Sequence, residues 1–305
     1  MKMDSVRHVA VIGAGSMGSA LAESLLAEGF NVSVWNRTPE KLAPLATLNA
    51  FASADLNEII ERSEIIVVCL SDHATTEKLL FVDSSSEALR AKILVQLTTI
   101  TRSESQKMAA LCQLKDILYL DGAIMGLPQR VRDGDCIIAY SGAQSVYAHC
   151  EPVLRALGKK PMFISESYGA APNLELARFA YIYGSWLAYF QALALCSAGG
   201  LPLDVIVEII DNGEHIRNRT TKRSGDAIIK RDYSAPAATI DVHAAAFKLV
   251  SEQADSLEMR SDLIQLVGGL FDEAKAKGYR QKQLPALFEI MAEDPGRISC
   301  AWQQI

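Results

Sequence analysis

A sheet-forming half followed by a helical half is what this sequence predicts: an α/β domain, then an all-α domain. Three observations predict it. Short apolar runs alternate with amphipathic stretches as far as Ser165, strand-like runs cease near Ala171, and a glycine-rich turn separates the first apolar run from the first amphipathic stretch. Strands that alternate with helices imply crossover units and a mostly parallel sheet.

The predicted strands are "HVAVIG" (8–13), "NVSVWN" (31–36), "EIIVVCL" (64–70), "KILVQLT" (92–98), "ILYLDGAI" (117–124), "CIIAYSG" (136–142) and "PMFIS" (161–165). Helical periodicity falls between them at 17–28, 39–48, 73–81, 103–113 and 143–157. Beyond Ala171 the pattern predicts only helices, over 172–199, 203–212, 216–230, 239–255, 259–277 and 283–291. The change of period places a boundary near 166–171, with one domain over 1–168 and the other over 169–305.

Composition narrows the function classes. A chain of 305 residues can bury a sizeable core across two domains. Half of it is apolar and 22% is charged, the balance of a soluble globular protein. The net charge of -6 comes from interspersed acids and bases, so no basic face for nucleic acid is expected. Five histidines without ligand spacing argue against a structural metal. Six cysteines (Cys69, Cys112, Cys136, Cys150, Cys196, Cys300) form no CxxC pair, which points to reduced thiols and a cytoplasmic location. The start of the sequence does not read as a signal peptide, because its short apolar run leads straight into the glycine turn.

One stretch needs separate treatment. From Phe179 to Leu203 there are 25 positions without a charge, long enough to cross a bilayer. Tyr181, Tyr183, Tyr189 and Gln191 lie inside it rather than at its ends, and Gly199, Gly200 and Pro202 interrupt it. No membrane partner is therefore expected. A helix that is apolar all round can also be buried in a soluble protein, given enough partner surface.

The strongest chemical signal is "VAVIGAGSMGSALAESLLAEGFNVSVWNRTPEK". Gly13, Gly15 and Gly18 form GxGxxG between a strand and a helix, the dinucleotide fingerprint of a Rossmann domain. Gly13 permits the tight turn, Gly15 lets a pyrophosphate approach the backbone, and Gly18 lets helix and strand pack closely. Ala14, Ser16 and Met17 complete the loop, whose helix N-terminus offers N–H groups and a positive dipole end to phosphate. A carboxylate at the end of the second strand would favour NAD. Here stand Asn36, Arg37 and Thr38, followed by Lys41. A guanidinium fork, two hydrogen-bonding side chains and a second cation suit a 2′-phosphate, so the expected cofactor is NADP(H). Ligands of such sheets sit beyond the carboxyl ends of the strands. That brings Cys69, Leu70, Ser71, Gln96 and Thr98 to the cofactor, Thr99 to the substrate side, and Ala123, Ile124 and Met125 to the substrate wall.

Later segments narrow the reading further. "VIGAGSMGSALA" with "WNRTPEK" resembles the β-hydroxyacid dehydrogenase superfamily. "IIVVCLSDHATTEKLL" (65–80), "LVQLTTITRSES" (94–105), "YLDGAIMGLPQRV" (119–131), "YSGAQSVYAHCEPVLRALG" (140–158) and "DYSAPAATIDVHAAAFKLV" (232–250) make the chain similar to NADPH-dependent imine reductases and reductive aminases. The resemblance implies a Rossmann domain, a long interdomain helix over about 172–199 and a helical domain. It also implies a domain-swapped homodimer in which each site uses both chains. The reaction implied is hydride transfer from NADPH to the C=N carbon of cyclic imines, with reductive amination of ketones by amines as an extension.

The family resemblance also implies a proton donor on the interdomain helix, where hydroxyacid dehydrogenases carry a lysine. Matching Asn173 to the family's usual glycine places Phe179 at that position, and a phenyl ring transfers no proton. Tyr183, one turn on and on the same face, is the first candidate. Tyr181 and Glu175 follow, Glu175 taking the lysine site if the register is anchored on Gly169. Trp186 and the partner chain's His243 are further candidates for the pocket wall. Two rivals remain on sequence grounds: a hydroxyacid dehydrogenase or carbonyl reductase, and a weakly catalytic NADPH-binding sensor.

Overall fold

The structure, a computed structural model, describes residues 8–234 and 236–292. The chain divides into two compact units, Met1–Tyr181 and Ile182–Ile305. In the first unit eight strands form one sheet among the described residues: β1 (His8–Ile12), β2 (Asn31–Trp35), β3 (Phe51–Ala52), β4 (Ile65–Val68), β5 (Ile93–Gln96), β6 (Leu118–Ile124), β7 (Ile137–Gly142) and β8 (Lys160–Ser165). Their order is β3-β2-β1-β4-β5-β6-β7-β8. The strands pair in parallel from β3 through β6; β7 pairs antiparallel with β6, and β8 parallel with β7. The strand order reverses between β1 and β4, which opens a crevice at their carboxyl ends.

The central strands are mostly apolar, β4 at every position, because helices cover both faces. On one face Val9 and Val11 pack with Leu21 and Leu25 of α1 (Ser16–Ala27) and with Val153 and Leu157 of the helix Gln144–Leu157. On the other, Ala10 and Ile12 pack with Ile59 and Ile60 of the helix Leu56–Glu61 and with Met108 and Cys112 of the helix Arg102–Leu114. The sheet ends at Ser165, where the change of period placed its end.

Several elements differ from expectation. The helix predicted over 39–48 is a 3-10 turn, Pro39–Leu42, followed by α2 (Ala43–Thr47). Pro44 has no N–H to continue the first turn into the second. Strand β3 and the short helices α3 (Leu56–Glu61), α5 (Asp83–Ala88) and α7 (Pro128–Arg132) were not predicted, being too short to show a period. Between them lie α4 (His73–Leu80), α6 (Arg102–Leu114) and α8 (Gln144–Leu157), as the pattern indicates.

A 29-residue helix, α9 (Ala170–Ala198), begins in the first unit and continues into the second. The two helices predicted over 203–212 and 216–230 are one, α10 (Leu203–Lys230). Asn212 and Gly213 weaken a helix by about 1 kcal/mol or less each but leave its hydrogen bonds in place. The second unit adds α11 (Ile240–Ser256), α12 (Asp262–Ala276) and α13 (Leu287–Met291). Its core is Tyr233, Ile240, Phe271, Ala274 and Ala286.

That core is small beside the apolar surface left open. Helix α10 has no buried residue, and Tyr181, Tyr183, Trp186, Leu187 and Phe190 of α9 are exposed. Helix α9 is long and apolar enough to cross a membrane by length and composition, and its most apolar stretch is not buried by this chain.

Helix α6 shows how local sequence sets an element. Thr101 accepts from the Glu104 N–H while the Glu104 carboxylate accepts from the Thr101 N–H at 2.7 Å, a complete capping box. Thr101→Ala is expected to lower unfolding stability by about 1 kcal/mol, read as a lower urea midpoint at unchanged slope.

Candidate active site

The glycine turn follows β1. Gly13 has φ +108°, and a Cβ there would lie 2.2 Å from the Cys69 carbonyl oxygen. A Cβ on Gly18 would lie 1.8 Å from the Gly13 carbonyl oxygen. Both positions are closed to any other residue. Gly15 is different: a Cβ there would meet nothing within 4 Å. It is the N-cap of α1 and makes no side-chain cap bond, so the helix turns its first N–H groups outward. An open backbone at a helix N-terminus, next to two glycines that hold the helix close, fits a pyrophosphate.

The end of β2 completes this end of the cleft. The Ala14 N–H donates to Asn36 Oδ1 at 3.0 Å, and Asn36 Nδ2 donates to the Thr38 carbonyl at 2.9 Å. Asn36 thus ties the glycine turn to the loop that carries Arg37 and Thr38. Arg37, Thr38 and Lys41 are exposed along a cavity of about 690 Å³. Its walls also carry Ser16, Met17, Cys69, Leu70 and Ser71. Sequence reasoning missed Thr75 and Lys78 of α4, which line the same cavity. The signal available was Lys78 at helical spacing after the β4 turn, but only the fold shows that this helix face looks into the cleft.

The ends of β4 and β5 form the other side. The Cys69 N–H donates to the Ile12 carbonyl at 2.9 Å, and the Leu70 N–H to Thr98 Oγ1 at 2.9 Å. The Thr98 N–H donates to Gln96 Oε1 at 3.2 Å, while Gln96 Nε2 is buried without a protein partner. An orphaned amide donor at the strand ends fits a bound acceptor there. Burial pushes the Cys69 thiol up to about 12, with the Glu175 carboxyl adding to the effect, so this thiol is not a nucleophile at neutral pH.

Glu175 is the titratable group of this region. It lies on α9, only 5% exposed, and the Thr99 hydroxyl is its hydrogen-bond partner. Burial raises its carboxyl to about 7, against smaller opposite effects from Thr99 and from Arg178. Its influence on Cys69, a residue of the cavity wall, puts this carboxyl next to the strand-end side of the cleft.

The remaining candidates separate. Ala123 packs with Ala139, Ala171 and Met125 beneath the first turn of α9. Ile124 was expected beside them, but it faces the opposite side of the sheet, in the core with Val131, Cys136 and Ile138. Successive strand residues point to opposite faces, so Ile124 cannot share a wall with Ala123 and Met125. Phe179 is half-buried one turn beyond Glu175. Tyr181 is exposed at the end of the first unit. Tyr183, Trp186 and His243 belong to the second unit; Tyr183 is 58% exposed and packs edge-on against Trp186 at 5.7 Å. The structure therefore brings Glu175, Thr99 and Cys69 together.

Known proteins show the same two-part division. Residues 8–166 match the NAD binding domain of 6-phosphogluconate dehydrogenase, and residues 167–293 match the C-terminal domain of NADPH-dependent reductive aminase-like proteins. The chain belongs to the imine reductase and reductive aminase family. It is 25% identical over 292 residues to an NADPH-dependent reductive aminase of Aspergillus oryzae, covering 93% of this chain and 96% of the relative. Imine reductase from Myxococcus stipitatus, solved with NADP+, superimposes with a TM-score of 0.89 at 29% identity, covering 93% of this chain and all of that one. A glyoxylate/succinic semialdehyde reductase of Arabidopsis thaliana is 24% identical over 93% of this chain and 98% of its own length. This member of the family is thus an NAD(P)-dependent oxidoreductase.

Two predictions follow from the geometry. Gly18→Ala forces α1 away from the Gly13 carbonyl and is expected to weaken cofactor binding more than tenfold in a fluorescence titration, with the far-ultraviolet circular dichroism retained. Glu175, raised from 4.5 to about 7 in the folded protein, contributes stability that is complete below about 4.5 and lost as pH rises through about 7. Glu175→Gln should therefore be more stable than the parent above pH 8, by about 1–3 kcal/mol, with the difference vanishing near pH 4.5 in urea titrations.

Proposed function

We propose that this protein reduces cyclic imines and iminium ions to amines with NADPH, that it also accepts ketone and amine pairs for reductive amination, and that Glu175 is its proton donor. The observation that carries the reading is a buried carboxyl, raised to about 7, beside the strand ends of the cleft, with no lysine on the helix between Ala170 and Ala198. Bound NADPH supplies hydride to the C=N carbon. Glu175 in its acid form gives the nitrogen a proton, and the carboxylate left behind faces the iminium cation. A group that titrates near 7 serves both states at neutral pH. An ammonium on this helix would repel the same cation, and a carboxylate there repels the carboxylate of a hydroxyacid. The thiol of Cys69 stays protonated and adds no competing charge.

Glu175 takes precedence over Tyr183 and Tyr181 because it is an acid that burial raises to about 7, with the Thr99 and Cys69 side chains of the strand ends beside it. Thr99 orients the carboxyl. The wall of Ala123 and Met125 lies under the same helix turn.

The cofactor preference follows from the rim. No acid stands at the end of β2, and Arg37, Lys41 and Lys78 line the cavity. These cations favour the 2′-phosphate of NADPH. Arg37→Asp is expected to raise KM for NADPH at least tenfold while changing KM for NADH less than threefold; equal effects would remove the assignment.

Dimerisation belongs to the same proposal. The exposed faces of α9 and α10 carry Tyr181, Trp186, Phe190, Val205 and Ile209, more apolar surface than a soluble monomer leaves open. A second copy covers it in the cytosol, and sedimentation should show a dimer. For the reaction itself, NADPH oxidation is expected with 2-methylpyrroline and dihydroisoquinoline. Turnover with a small keto acid alone would establish a carbonyl reductase instead, and cofactor binding without turnover a sensor.

A further inference from the structure

The start of α9 is held by side chains from two strands. Asp121 of β6 is fully buried. Its carboxylate accepts the Gly169 N–H at 2.5 Å and the hydroxyls of Ser105, from α6, and Ser141, from β7. Ser141 Oγ in turn accepts the Ala171 N–H at 2.9 Å, which leaves its own hydrogen for Asp121. Two N–H groups at the N-terminus of α9, which no helical carbonyl can satisfy, are thus answered by Asp121 and its relay. Burial raises the Asp121 carboxyl, and the three donors that converge on it act against that larger effect.

Glu175 is one turn beyond Ala171 on the same helix face. Nothing in the reduction chemistry uses Asp121, and its carboxylate has no room for substrate. Yet it lies against the positive end of the helix that carries the acid. We propose that Asp121 is a positioning residue: through the Gly169 and Ala171 amides it anchors the first turn of α9 and neutralises the positive helix end, so that Glu175 is held both in place and in its acid form. This rests on the reading of Glu175 as proton donor.

The sign of the effect is fixed by charge. With Asp121 ionised, the helix end adds little net positive potential at Glu175, and the two carboxylates repel. With Asp121 neutral, the positive end acts unopposed and favours the Glu175 carboxylate. Among the described residues, the groups facing this region are Cys69 and Arg178 beside Glu175, Tyr119, Tyr168 and Cys112 beside Asp121, and Arg102, whose chain lies against Gly169. Burial raises the two thiols and the two phenols, which are neutral at neutral pH. None of these groups changes charge where the effect is to be read.

The test uses the full-length protein with NADP bound. The protonated carboxyl band of Glu175 is assigned by infrared difference against Glu175→Gln, and its midpoint is compared with the alkaline limb of kcat for a poorly basic cyclic imine. Asp121→Asn removes the charge; its amide oxygen can still accept from Ser105 and Gly169, and its Nδ2 can donate to Ser141 Oγ in place of accepting from it. It is expected to lower both midpoints by about half a pH unit, which is about a threefold loss of rate at pH 8 with the acid plateau kept, and to leave the Kd for NADPH within twofold. Ser105→Ala weakens the hold on the Asp121 charge and is expected to move both midpoints the same way by less; it decides the matter if Asp121→Asn does not fold. Ser141→Ala removes one donor from Asp121 together with the Ala171 anchor, and is expected to move the midpoints no further than Ser105→Ala while lowering the plateau, which Ser105→Ala keeps.

Folded Asp121→Asn with unmoved midpoints overturns the proposal while leaving Glu175 as donor. A midpoint shift in Ser141→Ala as large as in Asp121→Asn also overturns it, because loosening alone would then explain the effect. If Glu175→Gln keeps both the rate and the alkaline limb, it is the donor reading that fails, and the catalytic role of Asp121 falls with it.

Discussion

The cleft depends on one backbone contact: helix α1 passes so close to the ends of β1 and β4 that two positions admit no side chain at all. Gly18 lies against the Gly13 carbonyl, and Gly13 against the Cys69 carbonyl. This approach sets the direction of α1, and with it the direction of the first-turn N–H groups that Gly15 leaves uncovered. It also locks the turn to its neighbours, since Gly13 donates to Trp35 and Cys69 donates to Ile12. Asn36 extends the lock to the loop that carries Arg37 and Thr38. A methyl group at either glycine would move all three pieces at once, because they share backbone contacts rather than flexible side chains.

The acid on α9 illustrates a different constraint. A carboxyl removed from water either finds enough donors to keep its charge or takes up a proton. Asp121 and Glu175 sit in the same unit, and burial raises both carboxyls, but the two are supplied with donors unequally. Asp121 collects three donors, two of them from other elements. Glu175 has Thr99 and a nearby Arg178, which do not offset its burial, and its carboxyl rises to about 7. A scaffold carboxyl and a titrating one thereby differ in the number of donors supplied to the same functional group.

The second unit carries a third constraint. Its own core is a handful of residues around Phe271, while α9 and α10 turn large apolar side chains to solvent. Apolar surface of that extent has a cost in water that grows with area. The absence of charge along the 25 positions from Phe179 to Leu203 is thus explained only in part by what the single chain buries.

Much of this was legible beforehand, and the legible parts share a cause. Most of the strands, the glycine turn, the helix α6 and the lack of an acid at the end of β2 are set by neighbours in sequence, so a linear reading finds them. Elements too short to show a period, β3 and α7 among them, escaped it, and Asn212–Gly213 suggested a break that helical hydrogen bonding does not need. The site was less legible. Spacing along α9 put Tyr183 ahead of Tyr181 and Glu175, because helical register says which residues share a face but not which of them loses its water. Thr75 and Lys78 were missed, and Ile124 was placed on the wrong wall, for the same reason. By itself the sequence determined the class of fold and the cofactor's phosphate-binding turn, which are written in local backbone requirements. Only the tertiary structure decided which carboxyl is starved of solvent beside the strand ends and which is saturated with donors, because desolvation and hydrogen bonding there come from segments far apart in the chain.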